Sequence, residues 1–251
     1  MPSLLTPGRL LFAIAVTAFG IQHLIYAATG AGLGPPWSPV NHILAYALSV
    51  ILLASGLCFA TAIQVQCAGI AVTLTVLIRI ALCYLPKLFA TPRDPGPWTS
   101  SFELLAIGGA SLVLLALFTG TTFGRSSEQP NLWSHLGRVL FGGSLVVFGV
   151  QHLMYGAFVA TLVPAWIPGH LFWAYFVGVA FLAAALAIVT GRIAALAATL
   201  LGSMFFLWVV TLHAPRVALA LHNGNEWTSL LIALAMSGGS FVIAGVTADS
   251  K

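Results

Sequence analysis

Eight apolar runs, each long enough to cross a bilayer, constrain this chain more than any other feature. Crossing ~30 Å of hydrocarbon takes about 20 helical residues. Runs of that size lie near residues 8–28, 42–62, 65–89, 99–119, 137–158, 170–190, 192–221 and 227–247. They carry Leu, Ala, Val and Phe without the alternating polarity of a membrane β-barrel. The expected fold is therefore an all-α integral membrane protein with eight transmembrane helices. Composition agrees: 60% of the 251 residues are hydrophobic and 6% charged, against about 25% charged in a soluble domain. A net charge of +4 from nine basic and five acidic side chains, with no basic run, argues against a nucleic-acid partner. The lipid bilayer is the partner implied.

The second constraint is an internal repeat. Gly8-Arg9 recurs as Gly137-Arg138, and Gln22-His23-Leu24 with Tyr26 recurs as Gln151-His152-Leu153 with Tyr155. Pro35, Trp37 and Pro39 match Pro164, Trp166 and Pro168; Pro86 matches Pro215, and Trp98-Thr99-Ser100 matches Trp227-Thr228-Ser229. Every pair is separated by 129 residues, as His23 is from His152. Residues 1–122 and 137–251 are thus expected to be two four-helix bundles, with 123–136 linking them. Four crossings per half put both halves into the membrane from the same side, as parallel repeats. The first run is not expected to be a cleaved leader, because its copy lies mid-chain. Arg9, Arg125, Arg138, Arg192 and Lys251 lie on the side of the termini, and Lys87, Arg93 and Arg216 on the other. The bias places both termini in the cytoplasm and the protein in the inner, cytoplasmic membrane.

A turn of about 100° per residue puts Arg9, Phe12, Phe19, His23 and Tyr26 on one helix face, with the same stripe in the fifth run. Intramembrane ionisable groups face a bundle interior or a cavity. Gln22, His23, Tyr26, Gln151, His152 and Tyr155 are therefore candidate binding residues, and also candidates for interhelical hydrogen bonding alone. Trp37 and Trp166, in Pro-x-Trp-x-Pro loops, are read as interface anchors or as caps over the bundle mouth. His213 and Arg216 flank Pro215, and prolines 86 and 215 are expected to kink or end their helices. Arg79 is the one charge near the middle of a span, and Glu103 is the acidic residue nearest to pair with it. Cys58, Cys67 and Cys83 form no C-x-x-C and read as small apolar side chains. No metal signature occurs. Bundle cores can host a bis-histidine haem, although no ligand pair stands out.

Phe-Gly-Ile-Gln-His-Leu at 19–24, Pro-Pro-Trp-Ser-Pro at 35–39, Leu-His-Ala-Pro-Arg at 212–216 and Glu-Trp-Thr-Ser at 226–229 resemble the DoxX-like membrane proteins. The family unit is similar to one four-helix bundle, so the resemblance runs through this chain twice. It implies a membrane component of respiratory or sulfur redox chemistry, meeting a quinone and a membrane or peripheral redox partner protein. The first half departs from the pattern, with Tyr84 and Lys87 where the second has His213 and Arg216. A non-catalytic assembly partner, or a small-molecule carrier lacking coupling carboxylates, are the other readings of the same residues.

Overall fold

The computed structural model describes residues 4–28, 41–122 and 132–248. Trp37, Pro35, Pro39, Arg125 and Lys251 lie outside them, as does the side chain of Tyr26. The described chain forms helices α1 (Leu5–Ala28), α2 (Asn41–Thr61), α3 (Val65–Arg79), α4 (Leu85–Ala90), α5 (Pro95–Thr122) and α6 (Leu132–Met154). It continues with α7 (Gly156–Leu162), α8 (His170–Thr190), α9 (Ala194–Trp208), α10 (Ala214–Leu219) and α11 (Gly224–Ala248). Among the described residues, eight helical segments are long and apolar enough to cross a membrane, α3–α4 and α9–α10 each acting as one. The protein is a multi-pass, all-helical membrane protein. Helices are the natural solution, since each satisfies its own backbone polar groups where no water can.

The expected spans hold, with three differences of local geometry. Pro86 and Pro215 do not end their helices. Instead the π-helical segments Ile80–Tyr84 and Val209–His213 precede them, closed by Leu85 N–H to Ile80 O and Ala214 N–H to Val209 O. The wider turn makes room for a ring that would otherwise collide with the preceding turn. The fifth run breaks at Tyr155, where φ is −113° and ψ 30°, so α7 is a separate short helix. Helix α6 begins at Leu132, inside the segment expected to be linker.

The packing of the helices follows a closed cycle. Each of α1, α2, α3, α5, α6, α8, α9 and α11 packs on the next in that order, α11 returns to α1, and α5 meets α11 across the middle. The 129-residue offset reappears in the bounds of the elements: Val65–Arg79 becomes Ala194–Trp208, and Ile80–Tyr84 becomes Val209–His213. The tight α2–α3 and α8–α9 turns agree too. Ala62 and Gln64 take positive φ of 59° and 53°, where Gly191 and Ile193 take 77° and 52°.

Helices α5 and α11 are the most enclosed. In their most apolar windows 61% and 78% of residues are buried, against 22% for the α9–α10 span. They meet α6 and α1 through bare backbone. A Cβ on Gly109 would lie 2.6 Å from Gly137 O, and one on Gly238 would lie 2.4 Å from Phe12 N. Such small-residue contacts let helices pack by van der Waals attraction where lipid offers no hydrophobic drive. The outward faces carry exposed Ile14, Ile43, Val50, Leu74, Leu186 and Leu200, as a lipid-facing surface requires. At one end of the span Arg9 donates Nη1 to Phe59 O and, at 2.9 Å, to Ala60 O. A cation there serves the open carbonyls of the last turn of α2.

Candidate functional site

The starts of α5 and α11 are built alike, and they fix the depth of everything that follows. Asp94 Oδ1 accepts from Gly96 N at 2.9 Å, and Asn223 Oδ1 accepts from Asn225 N at 3.0 Å. Both are N-caps serving the second residue of the helix. Trp98 Nε1 donates to Pro92 O at 3.0 Å and Trp227 Nε1 to Leu221 O at 2.9 Å, so each indole is moored at its loop. Trp37 and Trp166 are the tryptophans expected as anchors or caps. Trp37 lies outside the described residues, and Trp166 is exposed.

The two glutamines reach across to these helix starts from the opposite half. Gln22 Nε2 donates to Gly224 O at 3.0 Å and to Thr228 Oγ1 at 2.8 Å. Gln151 Nε2 donates to Pro95 O at 3.1 Å, and its Oε1 accepts from Thr99 Oγ1 at 2.9 Å. Gln22 and Gln151 thus tie α1 to α11 and α6 to α5. Polar side chains of this kind hold helices together within a bilayer.

The two histidines begin alike and end differently. His23 Nδ1 lies 2.8 Å from Phe19 O, and His152 Nδ1 lies 2.8 Å from Phe148 O. A carbonyl only accepts, so Nδ1 carries the hydrogen in both and Nε2 is the acceptor. In the first half that acceptor meets the Arg79 guanidinium through Nη1. The expected Arg79–Glu103 pair is not formed among the described residues. Arg79 sits instead against a neutral imidazole, which supplies a lone pair inside a low-dielectric bundle. In the second half Trp208 stands at the position of Arg79. His152 there packs edge-on against Phe181, with ring centroids 5.2 Å apart.

A cavity of about 130 Å³ opens beside Arg79. Its polar lining is Gln22, His23, Thr75, Arg79, Tyr84 and Glu103, with Ser100 and Thr228 at the helix starts. Its apolar walls are Val16, Phe19, Leu52, Val72, Val76 and Ile107, among others. The volume is close to that of a cavity that accepts one benzene ring. Arg79 Nε is buried and has no hydrogen-bond partner. Glu103 lines the same space and makes no hydrogen bond or ion pair among the described residues.

At the matching place in the second half the space is filled by rings. Leu52, Val76 and Arg79 correspond to Phe181, Phe205 and Trp208, whereas Ile232, the counterpart of Glu103, lines the cavity beside Arg79 itself. Phe181 has its ring centroid 6.0 Å from Phe148, 5.7 Å from Phe205 and 6.1 Å from Trp208. His213, at the position of Tyr84, has its Nδ1 buried without a partner. Tyr155 and Arg216 are half-buried, at the break before α7 and within α10. Among the described residues no three His, Cys, Asp or Glu side chains gather as metal ligands. Among the described residues Cys58, Cys67 and Cys83 form no disulfide.

Sequence reasoning singled out Arg79, Glu103 and His23 but not that one space holds them, and it passed over Thr75, Leu52 and Val76. The signal available was divergence between the halves, since small or charged residues face large aromatic ones across the 129-residue offset. Comparison of the chain with family models, with curated proteins and with solved structures returns no match.

Proposed function

We propose that this chain is a DoxX-like membrane protein whose first half binds the ring of a quinone or similar amphiphile within the bilayer. The carrying observation is the cavity beside Arg79, apolar in its walls and polar at a few converging groups, which is the make-up of a small-molecule site. On this reading the chain serves respiratory or sulfur redox chemistry beside a membrane or peripheral redox partner protein. The second half, closed by Phe181, Phe205 and Trp208, is its scaffold. The halves are parallel four-helix repeats related by an axis along the membrane normal. What supports that symmetry is the recurrence of element bounds and the reciprocal reach of Gln22 and Gln151.

The test is thermal unfolding in detergent, with and without a soluble short-chain quinone. At a hundredfold excess over Kd a ligand stabilises by ~2.7 kcal/mol, or about 5 °C or more for a chain of this size. Wild type and His152→Ala should show that rise, and His23→Ala should lose it. No rise with any ring analogue would leave the assembly reading, in which Gln22, His23 and Arg79 only join helices.

The same reading places the protein in the cytoplasmic membrane with both termini inside, on the basic-residue bias. A reporter fused after Lys251 should be active in the cytoplasm; activity confined to the periplasm would reverse the topology.

A further inference from the structure

We infer that the cavity takes a single-ring head and excludes a fused two-ring head, and that Ile232, on α11 of the opposite half, is the wall that sets this limit. The inference rests on the reading above that a ring occupies the cavity, and it names the class of ring. The first half does not build the site alone. Thr228 and Ile232 of α11 line it together with side chains of α1, α2, α3 and α5. Glu103 and Ile232 are equivalent positions of the repeat, 129 residues apart, and both border this one space. The cavity therefore lies where α5 meets α11, across the boundary between the halves.

Size is the first argument. The volume of about 130 Å³ is near the ~150 Å³ of an apolar cavity that holds one benzene. A second fused ring would have to push the walls apart, and the helices around the space meet backbone to backbone. A Cβ on Gly56 of α2 would lie 2.7 Å from Thr17 N of α1, and one on Gly69 of α3 would lie 2.9 Å from Ser111 O of α5. On a third side, a Cβ on Gly8 of α1 would lie 2.8 Å from Val242 N of α11. Spreading any of these pairs forfeits the close packing that holds helices together in a bilayer. Hydrogen bonds add to the lock, Gln22 joining α1 to α11 and Arg79 joining α3 to His23 on α1.

The second argument singles out Ile232. Thr228, one turn before it, accepts from Gln22 Nε2 at 2.8 Å and donates to Gly224 O at 2.9 Å, which fixes α11 against α1 beside the cavity. Ile232 is β-branched and stiff at χ1, so it does not fold away from an incoming ring. Val16, Leu52, Val72, Val76 and Ile107 are buried in the core around the space. Ile232 is only half-buried, although α11 is the most enclosed of the spans. The free part of its side chain therefore faces the cavity it lines rather than lipid.

The experiment titrates the full-length protein in detergent with two tail-less probes, a dimethylated benzoquinone and a methylated naphthoquinone, with free probe measured outside the micelles. Wild type should bind the single ring tighter by about tenfold or more, the scale on which apolar pockets discriminate small changes of size. Ile232→Ala opens the wall and should shift the ratio of affinities towards the two-ring probe by about tenfold. Ile232→Phe fills the space and should weaken single-ring binding by about tenfold or more. Melting without probe shows which variants are folded, and because the two change volume in opposite directions, either one decides if the other does not fold. Wild type binding both probes equally, or preferring the two-ring probe, overturns the size limit while leaving a ring site. An unchanged preference in Ile232→Ala, or unchanged single-ring binding in Ile232→Phe, removes Ile232 from the wall. Binding of neither probe by wild type removes the ring-binding reading and this inference with it.

Discussion

Gly137→Ala is expected to lower the melting temperature in detergent by about 10 °C, because no side chain can move aside for the added methyl. An alanine Cβ would lie 2.5 Å from Gly109 O, 2.8 Å from Val113 Cγ2 and 3.0 Å from Val113 N. Two of those three atoms are backbone of α5, so the helices must part along their length. Overpacking that rotamers can relieve costs ~1–3 kcal/mol, and a backbone clash belongs at or above the top of that range. Each kcal/mol moves the midpoint by about 2–4 °C in a chain of 150–250 residues. Gly143, on the same helix, has nothing within 4 Å of its ideal Cβ. Gly143→Ala should leave the midpoint unchanged or raise it, since Ala exceeds Gly in helix propensity by ~1 kcal/mol. If the two alanine variants melt together, the close approach of α5 and α6 is wrong.

That contrast separates what the sequence carries from what it does not. The crossings are legible because each apolar run is itself the physical requirement of a bilayer; residues 170–190 form α8 with the bounds the run had. The π turns are not legible. Proline announces that a hydrogen bond is missing, yet whether the helix ends, kinks or widens depends on what packs around Pro86 and Pro215. Nor does sequence separate Gly137 from Gly143, six residues apart, because only the neighbouring helix distinguishes them.

The candidate site divides in the same way. An intramembrane Arg, a Glu and a repeated His are visible from chemistry alone, since each is costly in hydrocarbon. Their pairing is not. Opposite charge suggested Glu103 for Arg79, but the turn of α1 that hydrogen-bonds His23 Nδ1 to Phe19 leaves Nε2 as the acceptor the guanidinium meets. A cavity is harder still to read, because it is a shortfall in the summed volume of side chains from several helices. The 129-residue offset makes that shortfall readable afterwards, position by position.

Phe181 provides the second large effect, and it tests whether the halves differ in filling. Its side chain is 2% exposed and lies against the rings of Phe148, His152, Phe205 and Trp208. Its counterpart Leu52, 8% exposed, borders the cavity beside Arg79. Truncating a buried Phe costs ~3–5 kcal/mol and a buried Leu ~2–5 kcal/mol, with the spread set by how much new void is left. Leu52→Ala enlarges a space that already exists, so it forfeits fewer contacts and should fall at the low end. Phe181→Ala opens a new void inside a ring cluster, where dispersion contacts supply much of the packing energy in a membrane. It should therefore melt several degrees below Leu52→Ala. A dry void of that kind takes up small apolar rings, so benzene should restore part of the loss in Phe181→Ala. Equal midpoints for the two variants, with no recovery by benzene, would mean that the second half is no better filled than the first. The aromatic cluster would then no longer explain why one half keeps a polar cavity and the other does not.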